Sequence, residues 1–340
     1  MSQRPSPTRS KEVYDSEMSL RGLIAAVLIS LALAIEGCGH GSYSNVICAI
    51  PPDPSGSLYV TQHAGMAKAA SRLGMKVYWN GPRGGDDTQQ QIELMERAIQ
   101  QRNAGIVITP TAAFALDTVI QRALTDKIPV VILGPPIPFP SDPHLSFVVT
   151  DLDRSASMAA DRLCLDVNKS VEIAVIGMDP VTPGSTALVS SFEKALTRCP
   201  SARIVSKLGG FSTFGQSRTT MTRILLEHSN LTAIYSLSSV GTRGAIAALK
   251  TLHRSDSVRV VSIDPNLDLV LLLRRGALDA LIFPNMRAMG EKSVENIVSL
   301  RKHIPVQPVI LFPPMLITRE NVDSEAIQTL LKMDWREEGQ

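Results

Sequence analysis

Chemistry requires a reactive group with a partner in reach, and this chain offers few such pairs. The six histidines (His40, His63, His144, His228, His253 and His303) include none at the i,i+4 spacing that sets two imidazoles on one helix face for a metal. No G-x-S-x-G occurs, so no serine is marked as a nucleophile on a strained turn. The stretch Gly81-Pro82-Arg83-Gly84-Gly85 lacks the Lys-Ser/Thr of a phosphate loop and the glycine order of a dinucleotide site; it reads as a surface turn. Of the four cysteines, Cys48 lies in an apolar run and behaves as a small hydrophobe. Cys164 and Cys199 stand 35 residues apart, each near the end of an expected helix, and the sequence leaves open whether they bond. These residues argue against an enzyme, a metal site or a bound cofactor. What remains is non-covalent recognition by carboxylates, hydroxyls and a few aromatic rings.

The bulk composition agrees. With 34 basic against 32 acidic side chains the formal charge is +2, which provides no basic stripe for a nucleic acid. A chain of 340 residues, 44% hydrophobic and 19% charged, fits two globular domains of roughly 150 residues. Aromatics make up only 4%, so any ring that stacks on a ligand is one of very few. Residues 22–35, GLIAAVLISLALAI, form an apolar run between Arg21 and Glu36. At 1.5 Å per residue it spans roughly 21 Å, short of a ~30 Å hydrocarbon core, and it has the pattern of a secretory signal. Met18 is an alternative start. The run ends in Ile35-Glu36-Gly37-Cys38, which resembles a lipoprotein box with Cys38 lipidated; Ala32-Leu33-Ala34 offers ordinary cleavage instead.

The elements that must position a site follow a regular beat. Expected strands are NVICAI (45–50), KVYW (76–79), GIVITP (105–110) and PVVIL (129–133). Between them run amphipathic helices over 57–73, after Asp87, and around Leu116–Ala123. On the first helix Val60, Met66, Ala70 and Leu73 share one stripe; on the second, Ile92, Met95 and Ile99 do. The beat restarts after Asp151, with strands VEIAVIG (171–177), RIVSKL (203–208), AIYSLS (233–238) and VRVVSID (258–264), each separated by a helix. Strands β-branched on both faces, alternating with helices, predict an α/β fold of two doubly wound parallel-sheet lobes. Such sheets bind ligands beyond the carboxyl ends of their strands, so the residues just after each strand are the informative ones.

The stretches Gly81–Ala112 and IYSLSSVGTRGAIAAL (234–249) and the closing LITRENVD (316–323) resemble the ribose-binding type of periplasmic sugar-binding protein, the type I periplasmic binding proteins. Their look-alikes include the sensor domains of lac repressor-type regulators, but no helix-turn-helix precedes them here. The resemblance covers about 44–323. It implies two lobes joined by a three-crossover hinge near Thr150-Asp151, Pro284-Asn285 and Phe312-Pro314. One lobe would be 45–150 with 285–312, the other 151–284 with 313–330, preceded by a leader and linker (1–44) and followed by a tail (331–340). The implied role is an exported monomer that captures a sugar or polyol for an ABC permease, or reports it to a membrane sensor. It would touch the membrane only through a lipid on Cys38.

The resemblance also implies which residues meet the ligand. Tyr59 takes the stacking position after the first strand, or is a core tyrosine with its hydroxyl in water. Asp53 touches ligand or caps the next helix. Thr109, Asp151 and Asp264 match polar positions at strand ends, Gly134 and Ser238 occupy ligand-facing strand ends with residues other than the family's, and Asn285 lies at the second crossover. Asp264 is the leading acceptor, with hinge hydrogen bonding as its alternative role. Phe211 and Phe214 lie near a ligand-facing aromatic position, or are core. The chain departs from the ribose pattern at several points: Gly134-Pro135 replaces an Asp-Arg pair, Ser238-Ser239 an Asn-Asp pair and Pro284 a glutamine, while an arginine expected before Phe192 is absent. Such a pocket suits a neutral polyol, a deoxy or less polar sugar, or a non-sugar ligand.

Overall fold

The computed structural model describes residues 43–331 apart from 84–86, 113, 166–169 and 265. The leader and Cys38 lie outside the described residues. After a single 3-10 turn, the chain alternates β1 (Val46–Ile50), α1 (Ser57–Arg72), β2 (Lys76–Trp79), α2 (Thr88–Gln100), β3 (Gly105–Ile108), α3 (Asp117–Thr125), β4 (Val130–Gly134) and β5 (Leu145–Thr150). It continues through α4 (Leu152–Leu163), β6 (Val171–Met178), α5 (Ser185–Leu196), β7 (Ala202–Gly209), α6 (Phe214–Glu227), β8 (Leu231–Ser236), α7 (Ser239–Thr251), β9 (Arg259–Ser262), α8 (Leu267–Arg274) and β10 (Ala280–Pro284). The closing elements are α9 (Met286–Arg301), β11 (Val309–Phe312), β12 (Pro314–Ile317) and α10 (Glu325–Leu331). Among the described residues, no helix is long and apolar enough to cross a membrane.

Two six-stranded sheets result, ordered β11-β5-β4-β3-β1-β2 and β12-β10-β9-β8-β6-β7. The central strands of each are buried on both faces, which explains their β-branched runs, while the edge strands β2 and β11 are partly exposed. In the first sheet Cys48, Ile50, Ile106, Ile108 and Ile132 face one apolar layer, while Ile47, Ala49, Val107, Val131 and Leu133 face the other. Burial pushes the Cys48 thiol up to about 12, as befits a side chain acting as a hydrophobe. The chain crosses between the sheets after β5, after β10 and between β11 and β12. One strand departs from the all-parallel expectation: β12 pairs antiparallel to β10, with Pro314 opposite Pro284. Because β12 starts at the crossing where β10 ends, it can only run back along it.

Met66 and Ala70 of the first helix stripe are buried, but Leu73 is exposed, because α1 ends at Arg72 and Gly74 turns the chain with φ 69°. The returning helix α9 packs on α1 with backbones in contact. A Cβ built on Gly65 would lie 2.0 Å from the Arg287 carbonyl oxygen, and one on Gly290 would lie 2.2 Å from that of Gln62. Only glycine permits this approach. It ties the second crossover to the helix that carries Tyr59.

Candidate functional site

A cavity of about 470 Å³ lies between the sheets, at the carboxyl ends of their strands. That volume is within the usual range of small-molecule sites, roughly 300–1,000 Å³. The first sheet contributes Tyr59 from α1, Thr109 after β3, and Gly134 and Pro135 at the end of β4. The second contributes Asp179, Phe211, Ser238 and Asp264 from the loops after β6, β7, β8 and β9. The lobes touch on either side of this space. The Leu267 amide donates to Ser57 Oγ at 3.3 Å, and a Cβ on Gly184 would lie 3.5 Å from Pro135.

Each wall is set by local chemistry. The loop after β3 is clamped by the buried Gln91, which donates to the Thr109 carbonyl (2.8 Å) and accepts from the Thr111 amide (3.0 Å). Thr109, itself buried, is thereby presented opposite Gly134, whose φ of 101° suits glycine. On the other side Ser238 caps α7, accepting from the Gly241 amide at 3.0 Å. Beneath it, Thr242 Oγ1 hydrogen-bonds Ser236 Oγ (2.9 Å), Ser262 Oγ (3.0 Å) and the Ser238 carbonyl (2.8 Å). This buried hydroxyl cluster joins the ends of β8 and β9 and fixes the turn that bears Ser238 and Asp264.

Asp264 accepts a hydrogen bond from the Ser239 amide at the start of α7. Burial raises its pKa from the ordinary carboxyl value, against the lowering effects of the Ser239 hydrogen bonds and the Arg243 charge. The phenol of Tyr59 is also raised, chiefly by burial and then by the Asp264 and Asp53 carboxylates. Tyr59 from one lobe and Asp264 from the other thus lie within each other's electrostatic reach. The second lining carboxylate, Asp179, closes its own turn, accepting from Val181 N (3.0 Å) and Thr182 Oγ1 (3.3 Å). Among the described residues lining the cavity, none is basic. Leu188, Phe211, Leu237, Ile263, Phe283 and Met286 supply apolar surface.

Of the ten residues singled out in the sequence for the ligand, the structure brings together Tyr59, Thr109, Gly134, Phe211, Ser238 and Asp264. The other four sit outside the lining. Asp53 binds the Ser55 amide (3.0 Å) and hydroxyl (2.8 Å). Asp151 caps α4 through Arg154 N (2.9 Å), while its own amide donates to the Phe312 carbonyl across the hinge (3.0 Å). Asn285 caps α9 through Ala288 N (2.9 Å). Phe214 is exposed in the first turn of α6, and it is Phe211, still in the loop after β7, that faces the cavity. Sequence reasoning missed the β6–α5 loop, Asp179 to Gly184, although it too follows a strand. Among the described residues, no group of three or more His, Cys, Asp or Glu could hold a metal ion.

Comparison with known proteins matches this architecture. The ribose import binding protein of Bacillus subtilis (strain 168) is 22% identical over 262 residues, 77% of this chain and 83% of its own. A carbohydrate transporter solute binding protein from Agrobacterium radiobacter, solved with D-arabinose, superposes with a TM-score of 0.76 at 21% identity, covering 86% of this chain and all of that one. An ABC transporter solute binding protein from Bacillus halodurans with bound myo-inositol gives 0.73 at 19% identity, again over 86% of this chain and all of that one. Residues 47–303 match the model of the periplasmic binding protein domain, and the chain belongs to that family.

Proposed function

We propose that this chain is an exported binding protein that captures a neutral sugar or polyol between its lobes and presents the closed form to an ABC permease. The observation that carries this reading is the cavity itself: strand-end residues of both sheets converge on it, with a ring and a carboxylate from opposite lobes. A sugar offers hydroxyls to an acceptor such as Asp264 and a C–H face to a ring such as Tyr59. The Bacillus subtilis relative is named a ribose import binding protein and the Agrobacterium radiobacter structure a carbohydrate transporter solute binding protein, which supports the reading. Closure would turn on the crossings at Thr150–Asp151, Pro284–Asn285 and Phe312–Pro314, with the lobes divided as 45–150 plus 285–312 and 151–284 plus 313–330.

The lining narrows the ligand. Two carboxylates and no basic side chain disfavour an anion, and the apolar surface rewards a ligand with few hydroxyls on one face. A deoxy sugar or a methylated polyol fits better than ribose. Calorimetric titration with ribose, arabinose, a 6-deoxyhexose, myo-inositol and a sugar phosphate tests this, with scattering on any complex found. A neutral member should bind and reduce the radius of gyration. A preference for the phosphate, or binding at saturation with an unchanged radius, would refute the reading.

A further inference from the structure

We propose that Cys164 and Cys199 are joined by a disulfide in the exported protein. Cys164 is the C-terminal cap of α4, its amide donating to the Ala160 carbonyl at 2.9 Å. Cys199 lies in the turn that leads from α5 into β7, donating to the Leu196 carbonyl (2.8 Å) and accepting from the Ala202 amide (2.9 Å). Helices α4 and α5 pack side by side, and both cysteines belong to one buried apolar cluster with Leu163, Val171 and Phe192. Cys199 is close enough to act on the Cys164 thiol, its own Sγ pairs with Ser201 Oγ at 3.7 Å, and both residues are at most 9% exposed. Two backbone anchors, on adjacent helix ends, therefore hold the two cysteines as neighbours in one cluster. A buried thiol gains little from weak hydrogen bonding, so the redox state of the compartment decides the chemistry of the pair.

The reaction balances against an external protein or glutathione disulfide. One cysteine loses its proton and attacks a sulfur of that disulfide, forming a mixed disulfide and releasing a first thiol. The second cysteine, as thiolate, attacks the bound sulfur and releases the other thiol. Two protein thiols are oxidised by two electrons, the incoming disulfide is reduced, and both protons pass to the released thiols. Burial pushes the Cys164 thiol up to about 12 in the finished fold, which starves this exchange of thiolate. The bond therefore forms while the chain folds, before the cluster closes.

The inference rests on export for the oxidant, but its geometry can be tested separately. The full chain is unfolded, reduced and refolded in a mixture of oxidised and reduced glutathione, then denatured with an alkylating reagent and mapped by peptide mass. Cys164 and Cys199 should appear as one linked peptide pair that alkylates only after reduction, while Cys48 alkylates directly. The Cys164→Ser/Cys199→Ser variant should melt roughly 5–10 °C below the oxidised wild type, and reductant should bring the wild type down to meet it. Free Cys164 and Cys199 thiols in the refolded protein, or a link to Cys48, would overturn the proposal. A linked pair after refolding, with free thiols in protein taken directly from cells, would uphold the bond and count against export.

Discussion

The contact between α1 and α9 predicts that one methyl group has opposite effects at two helical glycines. In Gly290→Ala the added carbon would start 2.2 Å from the Gln62 carbonyl oxygen and 3.1 Å from its carbon. Ordinary contact distances are about 3.5–4.0 Å, so the helices must separate by roughly 1 Å. A backbone carbonyl cannot rotate aside as a side chain would, which puts the cost at or above the upper end of the ~1–3 kcal/mol typical of overpacking. Alanine's better helix propensity returns only about 1 kcal/mol, leaving a net loss of about 2 kcal/mol or more. For a chain of this size, at about 2.1 cal/mol/K of unfolding entropy per residue, that lowers the melting temperature by roughly 3 °C or more. Gly215→Ala, in the exposed first turn of α6 with nothing within 4 Å of the new carbon, should instead gain about 0.4–1 kcal/mol. Adding Gly65→Ala to Gly290→Ala should cost less than its effect alone, since the helices have already parted. Ligand affinity should fall with Gly290→Ala as well, because α1 carries Tyr59. The assay is thermal unfolding of Gly290→Ala, Gly65→Ala, their double variant and Gly215→Ala beside the wild type, with and without ligand. A Gly290→Ala protein that melts with the wild type would refute the tight crossing.

Three further outcomes bear on the site. Asp264→Asn should weaken ligand binding about ten- to a hundred-fold, the worth of one charge-assisted hydrogen bond of ~1.5–3 kcal/mol, and wild-type affinity in that variant would remove Asp264 from the ligand. The same substitution should raise the melting temperature of the empty protein at neutral pH. Burial holds the Asp264 pKa above its unfolded value, so its contribution to stability is present at low pH and lost as pH rises through the folded value; the gain should vanish on acidification. Tyr59→Ala should cost affinity comparably, whereas Tyr59→Phe should cost little if the ring stacks; equal losses would assign the role to the hydroxyl. Metabolic labelling with a fatty acid should mark the wild type and miss Cys38→Ala, and an unlabelled wild type would leave export without the anchor.

The fold was legible because fully buried strands leave a coarse mark. Runs such as VICAI, VVIL and VEIAVIG are apolar on both faces, and in a chain of this length that requires helices above and below. The antiparallel β12 was not legible, since four residues reading PMLI carry no sign of direction. Its orientation follows from where the last crossover falls. The Gly65–Gly290 crossing was hidden for a related reason. A glycine inside a helix looks like a weakness until the partner backbone, 225 positions away in the chain, is known.

The site was half legible, and the dividing line is physical. A polar residue after a strand can point into the cleft or turn back to satisfy the bare amides of the next helix, and both uses select the same residue types. Asp151 and Asn285 took the second course, each bonding the amide three residues on, so one side-chain oxygen of each is already engaged by its own helix. Ser238 does both, because its cap sits on the hydroxyl cluster of Ser236, Thr242 and Ser262, which holds the turn against the cavity. Asp264 differs again. Its amide partner belongs to a neighbouring helix, so the bond anchors the carboxylate at the wall instead of folding it back onto its own chain. Sequence spacing alone distinguishes a cap that bonds three residues ahead from an acceptor held by an element 25 residues away only once the strand order is known. That order, β9 beside β8, is what sets Asp264 apart from the other carboxylates, as an acceptor held at the cavity wall and the one proposed here to meet the ligand.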